Sequence, residues 1–313
     1  MLEPWLQHLE GRGLPRPRAD GVEVEDPGCQ CLGTVPPIKS FAGKDALPLK
    51  EENFELFSYQ NSNKRQFMKS VAVIPARYGS TRFPGKVLTD ILGKPMIQWV
   101  YERVKKSSVD FVCVATDDER VAKAVAEFGG DYVMTSADHP SGTDRVHEAV
   151  RKKAPESKII INVQGDEPLI PPELISRLSE AMRENPEIEM ATIAVPCRRE
   201  EIADNPNVVK ITIDKSSNAL YFSRAPIPFL RTGGTETNLY RHWGIYAFRR
   251  DTLDRFVSLP ESSLEKCEKL EQLRALENGI RIKVLLAERP TVGVDTPEDL
   301  ETLKEHLRKN IQH

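Results

Sequence analysis

From Ser70 to Cys197, short apolar runs alternate with amphipathic stretches, and this alternation restricts the possible folds more than any other feature of the chain. "SVAVIPA" precedes "PMIQWVYERVKKS", "FVCVATD" precedes "DERVAKAVAEFG", and "DYVMTS" precedes "TDRVHEAVRKK". "IIINVQGD" then precedes "PPELISRLSEAMRE", and "MATIAVP" follows. Runs of four to six apolar residues suit strands covered on both faces, while apolar positions at i, i+3, i+4 and i+7 suit helices lying over them. Repeated in this order they predict βαβ units, hence a mainly parallel sheet with helices on both sides. Beyond residue 205 the strands crowd together in "VVKITIDK", "ALYFSR" and "HWGIYAFRR". That rhythm predicts an inserted, partly antiparallel subdomain over about residues 205–279. A helix from Ser263 to Asn278 closed by Gly279, a strand in "IRIKVLLAE" and a last helix opened by Thr296-Pro297 complete the expectation.

Residues 1–67 lack this order. They are rich in Pro and Gly, show no sustained periodicity and carry no apolar stretch of the secretory kind, so they are expected to be a disordered extension or an upstream misassigned start, with Met68 opening the folded domain of 68–313. A net charge of −3 without a basic block gives no surface for nucleic acid, and no apolar run approaches the roughly 20 residues of a membrane helix. Five scattered cysteines argue against a disulfide framework and for a reducing, cytoplasmic setting. Cys29-x-Cys31 has no second Cys/His pair near it to complete a metal clip.

In open α/β sheets ligands bind outside the carboxyl ends of the strands, so the residues that follow each apolar run are the candidates. After the first comes "PARYGSTRFPGKV". It is not a Walker loop: five residues separate Gly79 from Gly85, Val87 stands where the metal-binding hydroxyl should be, and Pro84 removes an N–H. What it offers is Arg77, Arg82 and Lys86 on a glycine-bearing turn, a set suited to gripping a polyphosphate by side chains. After the fourth run "NVQGDEP" places Asp166 at a strand exit, and "VGVDTPEDL" places Asp295 before a helix start. Each alone reads equally as a turn or helix cap; together with the cationic loop they favour metal-assisted phosphoryl or nucleotidyl chemistry. "PSGTDR" offers Ser141, Gly142 and Thr143 either to a nucleobase edge or as an ordinary helix cap. Arg224, His242, Tyr246, Glu271 and Gln272 are polar candidates that local sequence leaves without a role.

The motifs "IPARYGSTRFPGKVL", "VATDDERV", "PSGTDRV", "NVQGDEPLI", "ALYFSRAPIP", "HWGIYAFR", "LEQLRALENG" and "GVDTPEDL", in this order, resemble the 3-deoxy-manno-octulosonate cytidylyltransferases, or CMP-KDO synthetases. The resemblance implies a Rossmann-like nucleotidyltransferase fold with a smaller, partly antiparallel sugar-binding subdomain. It also implies a homodimer that transfers CMP from CTP to the acid sugar KDO for lipopolysaccharide synthesis. By the same resemblance Arg77 and Lys86 contact the triphosphate, with Ser80 and Arg82 supporting the loop. Thr116, Ser141, Gly142 and Thr143 line the cytidine pocket; Gln164, Arg224, His242, Tyr246, Glu271 and Gln272 bind the sugar; Asp166 and Asp295 hold Mg²⁺. The extension 1–67 departs from the bacterial pattern. Rival classes are a same-fold enzyme with another sugar or nucleotide, a glycosyltransferase, and a non-catalytic nucleotide-binding module. "GDEP" has adjacent acids in place of the D-x-D typical of glycosyltransferases.

Overall fold

The computed structural model describes residues 69–79, 83–232, 234, 238–288, 293–294 and 296–311, all within one compact unit. The extension expected over 1–67 lies outside these residues, as do three expected site residues, Ser80, Arg82 and Asp295.

The first half follows the alternation read from the sequence. Strand β1 (Ser70–Pro75) leads through the candidate phosphate loop and a short ribbon, β2 (Asp90–Ile91) and β3 (Lys94–Pro95), into α1 (Met96–Lys105). Then come β4 (Phe111–Thr116), α2 (Glu119–Glu127), β5 (Tyr132–Met134), α3 (Gly142–Lys153), β6 (Ile159–Asn162), α4 (Pro172–Glu184) and β7 (Met190–Cys197). After the short α5 (Arg199–Ile202) the chain forms β8 (Lys210–Ile213), β9 (Ala219–Ser223) and the long β10 (Leu239–Arg249). It closes with α6 (Arg250–Ser258), α7 (Ser263–Glu268), α8 (Gln272–Glu277), β11 (Ile282–Leu286) and α9 (Pro297–Ile311).

One sheet joins nine of these strands. Its main path runs β11-β7-β10-β6-β1-β4-β5; β8 pairs with β10 off that path, and β9 pairs with β8. The pairs β1/β4, β1/β6, β4/β5 and β7/β11 are parallel, the arrangement that βαβ crossovers impose. Strand β10 differs from expectation. It does not stand apart in an inserted subdomain; it runs antiparallel between β6 and β7, with Ala247 opposite both Ile161 and Ala191. The reason is burial on both faces: Ala247 packs with one apolar layer while Tyr246 and Phe248 pack with the other, and only a central slot covers both. Strand residues alternate between the layers in the same way. Ala72 and Ile74 face helices α1, α2 and α4, whereas Val71 and Val73 face α3, α6 and α8.

A second difference concerns the helix expected from Ser263 to Asn278. Lys269 takes a left-handed conformation (φ 54°) and divides it into α7 and α8. The break leaves Leu270 and Gln272 on the wall of a cavity that one continuous helix would not shape this way. A small third cluster seats Leu300, Leu303 and Leu307 of α9, with Val294, against Ile91 and Met96. It anchors segment 293–307 beside the loop that follows β1.

Candidate functional site

The loop after β1 is closed at its stem by the Gly85 N–H, which donates to the Tyr78 carbonyl at 2.9 Å. Gly85 has φ +71°, and a Cβ there would lie 3.1 Å from the Tyr78 ring, so conformation and space both call for glycine. The Arg120 guanidinium lies over that ring, 3.3 Å from the centroid. Arg120 in turn forks onto Asp118, the N-cap of α2, at 2.9 and 2.6 Å, which holds the Asp118 carboxyl below its ordinary range. Arg77 and Lys86, each next to one half of this stem, are thereby set on either side of it. Arg77 is exposed.

Lys86 turns inward. Its Nζ donates to Asp166 Oδ2 at 2.7 Å and to the Val294 carbonyl at 2.8 Å. The Val294 N–H donates to the Asp166 carbonyl at 3.0 Å. Gly165 passes so close to β1 that a Cβ would sit 3.1 Å from the Pro75 carbonyl oxygen. The cationic loop, the exit of β6 and residues 293–294 are thus stitched together, although they come from three distant parts of the chain. Asp295 follows Val294 in the sequence and is outside the described residues.

The "PSGTDR" loop arrives from the side. Ser141 caps α3, its hydroxyl accepting from the Thr143 and Asp144 amides at 3.1 and 3.2 Å. Gly142 lies against Pro75, to which an added Cβ would approach within 3.5 Å. Thr143 is buried and donates through Oγ1 to Glu271 Oε2 at 2.6 Å. Thr116 is also buried, its hydroxyl accepting from the Asp118 amide at 3.2 Å. Burial raises the Glu271 carboxyl against the lowering effect of its hydrogen bonds.

Between the exit of β6 and the β8–β10 strands lies a cavity of about 430 Å³. Five of the six residues expected to meet the sugar line it, namely Gln164, Arg224, His242, Tyr246 and Gln272, and Asp166 stands at its margin. Glu271 does not join them; it faces a separate cavity of about 460 Å³ with Ser141 and Asp144. The wall of the first cavity is electrically quiet at its aromatic end. Burial pushes His242 down to about 3, leaving the imidazole neutral, and pushes the Tyr246 phenol well up. The two rings stand 5.5 Å apart although four positions separate them, because β10 bulges between Trp243 and Tyr246. Thr192 of β7 sits under this bulge, its hydroxyl within 2.8 Å of the Ile245 carbonyl and 3.1 Å of His242 Nε2.

Sequence reasoning missed several of these positions. Asn207, Val208, Val209 and Arg241 line the cavity, and Thr192 and Lys210 support it, but none follows a strand end in the way that drew attention to Asp166. The available signal was a lysine inside the run "NVVKITI". A charge there must either point to solvent or find buried partners.

A cationic loop after the first strand, a carboxylate after the strand beside it and an open cavity at the strand ends define an α/β nucleotidyltransferase. The cytidylyltransferase family model matches residues 71–282. A 3-deoxy-manno-octulosonate cytidylyltransferase from Thermodesulfovibrio yellowstonii is 52% identical over 252 residues, which are 77% of this chain and 98% of that protein. One from Vibrio vulnificus is 51% identical over 246 residues, 76% and 98% of the two chains. The solved structure of CMP:2-keto-3-deoxy-manno-octonic acid synthetase complexed with CTP superposes with a TM-score of 0.74 at 47% identity, covering 77% of this chain and 99% of that one. The 4-diphosphocytidyl-2C-methyl-D-erythritol synthase of Anaerococcus prevotii, at 17% identity and a TM-score of 0.52, shares the fold. The chain belongs to the 3-deoxy-manno-octulosonate cytidylyltransferase family.

Proposed function

We propose that this chain transfers CMP from CTP to 3-deoxy-manno-octulosonate (KDO), giving CMP-KDO and pyrophosphate. The observation that carries the reading is the cavity lined by Gln164, Arg224, His242, Tyr246 and Gln272, which opens onto the Asp166–Lys86 pair. Relatives named for this reaction are about half identical over nearly their whole length.

In the reaction a sugar hydroxyl attacks the α-phosphorus of CTP and pyrophosphate leaves. Both reactants are anions. Arg77, Arg82 and Lys86 offset the triphosphate charge and the charge that develops on the leaving group. Lys86 is already drawn toward the carboxylate end of the cavity by Asp166 and the Val294 carbonyl. Ser80 supports the same loop. Thr116, Ser141, Gly142 and Thr143 take the cytidine side, where the buried Thr143–Glu271 contact fixes the start of α3. Gln164, His242, Tyr246 and Gln272 present neutral hydrogen-bonding groups to the sugar, Arg224 adds charge to the wall, and Glu271 acts from behind through Thr143. No single side chain is assigned as the base.

Asp166 fits the chemistry of a Mg²⁺ ligand. Its carboxylate supplies hard oxygens, is partly exposed at the cavity margin, and already attracts a cation in Lys86. Mg²⁺ usually takes one or two protein carboxylates with substrate phosphate oxygens, so a group of three acidic or imidazole ligands, absent among the described residues, is not required. Asp166 and Asp295 would hold the ion. When bound, it supplies Lewis-acid polarisation of the phosphoryl group. The homodimer and the cytoplasmic setting belong to the same proposal; the free thiols of Cys113, Cys197 and Cys267 are in keeping with a reducing compartment. No helix among the described residues is long and apolar enough to cross a membrane.

The test is pyrophosphate release with each of the four nucleoside triphosphates, with and without KDO, in the presence of Mg²⁺. Release is expected with CTP and KDO together. Equal release with another nucleotide, or with CTP and no KDO, would overturn the assignment.

A further inference from the structure

Among the described residues Lys210 is one of the largest side chains with no exposed surface, and it carries an ammonium group. Among the described residues it makes no ion pair. Its Nζ is instead met by three backbone carbonyls: Arg224 at 2.6 Å, Asn205 at 2.8 Å and Val208 at 2.9 Å. An ammonium has three N–H donors, so its hydrogen-bonding capacity is matched one for one. Burial, and then the nearby Arg224 charge, push the group down from its ordinary value.

The three carbonyls belong to segments that share no secondary structure. Asn205 and Val208 lie in the turn between α5 and β8, and Arg224 follows β9. That turn also gives the cavity Asn207, Val208 and Val209, and the Val209 carbonyl accepts from the His242 amide at 2.8 Å. The Arg224 guanidinium is tied down from the same side. Its Nε donates to the Glu268 carbonyl at 2.8 Å and its Nη1 to the Pro206 carbonyl at 2.9 Å. Remove the Lys210 ammonium and three inward-facing carbonyls lose their common donor, leaving the Arg224–Pro206 bond and the β8–β9 pairing to hold the turn and Arg224 at their spacing without it. If the site needed only a filled core, an apolar side chain would serve as well or better than a buried charge.

We infer that Lys210 is a positioning residue for the sugar acid: by gathering the Asn205, Val208 and Arg224 carbonyls on one ammonium it sets the distance between Arg224 and the 205–209 wall of the sugar cavity. It also places a positive charge, held directly by neutral carbonyls with the Asp204 and Glu268 carboxylates farther off, behind the wall that receives an anionic substrate. The inference rests on the cavity being the KDO site.

The test compares wild type with K210M and K210Q in steady-state assays that vary CTP and KDO separately. The expected result is a rise in KM for KDO of about tenfold or more with KM for CTP within about twofold, since a small misplacement of a binding wall costs that much. K210Q keeps two N–H donors, and the result turns on it should K210M fail to fold. A K210A variant adds a readout that a filling role would not move: ethylammonium, with three N–H donors, restores KDO affinity, and tetramethylammonium, with none, does not. An unchanged KM for KDO in folded K210Q, or equal rescue by both amines, would overturn the inference. Failure of the wild-type enzyme to turn over CTP and KDO would instead overturn the reading of the cavity.

Discussion

The two halves of the site are built on opposite principles. On the side proposed for the triphosphate charged groups are satisfied by one another across loops: Lys86 with Asp166, and Arg120 with Asp118 over the Tyr78 ring. On the side proposed for the sugar the cations are held by backbone carbonyls, and the aromatic wall is neutral and buried. A paired charge can be exchanged for an incoming phosphate or metal ion with little net cost, whereas a carbonyl-pinned wall keeps its shape whether or not substrate is present. The contrast suits the ligands. A polyphosphate is gripped by charge and is forgiving of shape, while one sugar must be told from its relatives by contacts already in place.

Substitutions can break that contrast, and the largest effect is expected at Asp166. Asp166→Asn keeps size and hydrogen bonding but removes the charge that attracts Lys86 and would hold the metal ion. Turnover should fall on the order of 10²-fold or more, with KM for KDO little changed. Wild-type turnover at saturating Mg²⁺ would reduce Asp166 to a structural partner of Lys86.

The second test uses acid. His242 titrates near 3 in the folded protein against about 6.5 unfolded, so between these values the unfolded chain binds more protons and stability falls as pH is lowered. The loss approaches about 1.4 kcal/mol per pH unit below 6.5. It is best read from denaturant unfolding between about pH 6.5 and 5, above the range where Glu148, held down to about 2, adds its own loss from about 4.5. His242→Gln should flatten the slope; an unaltered slope would mean that the imidazole is not buried in a neutral wall.

The smallest effect belongs to the stacked stem of the triphosphate loop. Arg120→Ala removes the cation–π contact with Tyr78 together with the fork onto Asp118, and KM for CTP is expected to rise about two- to fivefold with KM for KDO unmoved. No change in either constant would show that Gly85 and Tyr78 hold the stem without help.

Much of this was legible in the sequence where local periodicity and strand ends carry the information. The runs that became β1, β4, β6 and β7 were apolar for as long as both faces are covered, and the polar residues after them include Lys86 and Asp166. Other features depended on partners that periodicity does not name. "HWGIYAFRR" reads as a strand, but nothing in it says that its neighbours are β6 and β7, forty or more residues away. Glu271 lies on an amphipathic pattern that resembles a solvated face; it is instead half-buried, with Thr143 of another helix donating to its carboxylate. The break at Lys269 was hidden because lysine is a good helix former, and here the demands of the cavity outweigh propensity.

The bond from the Val294 amide to the Asp166 carbonyl has a consequence for how the molecule comes into being. Every strand of the sheet, and the entire cavity lined by Arg224 and His242, is translated before the segment 293–307 that braces Asp166. During synthesis the nascent chain can therefore complete that cavity while the exit of β6 still lacks a strut, and under the proposed reading catalytic competence arrives last.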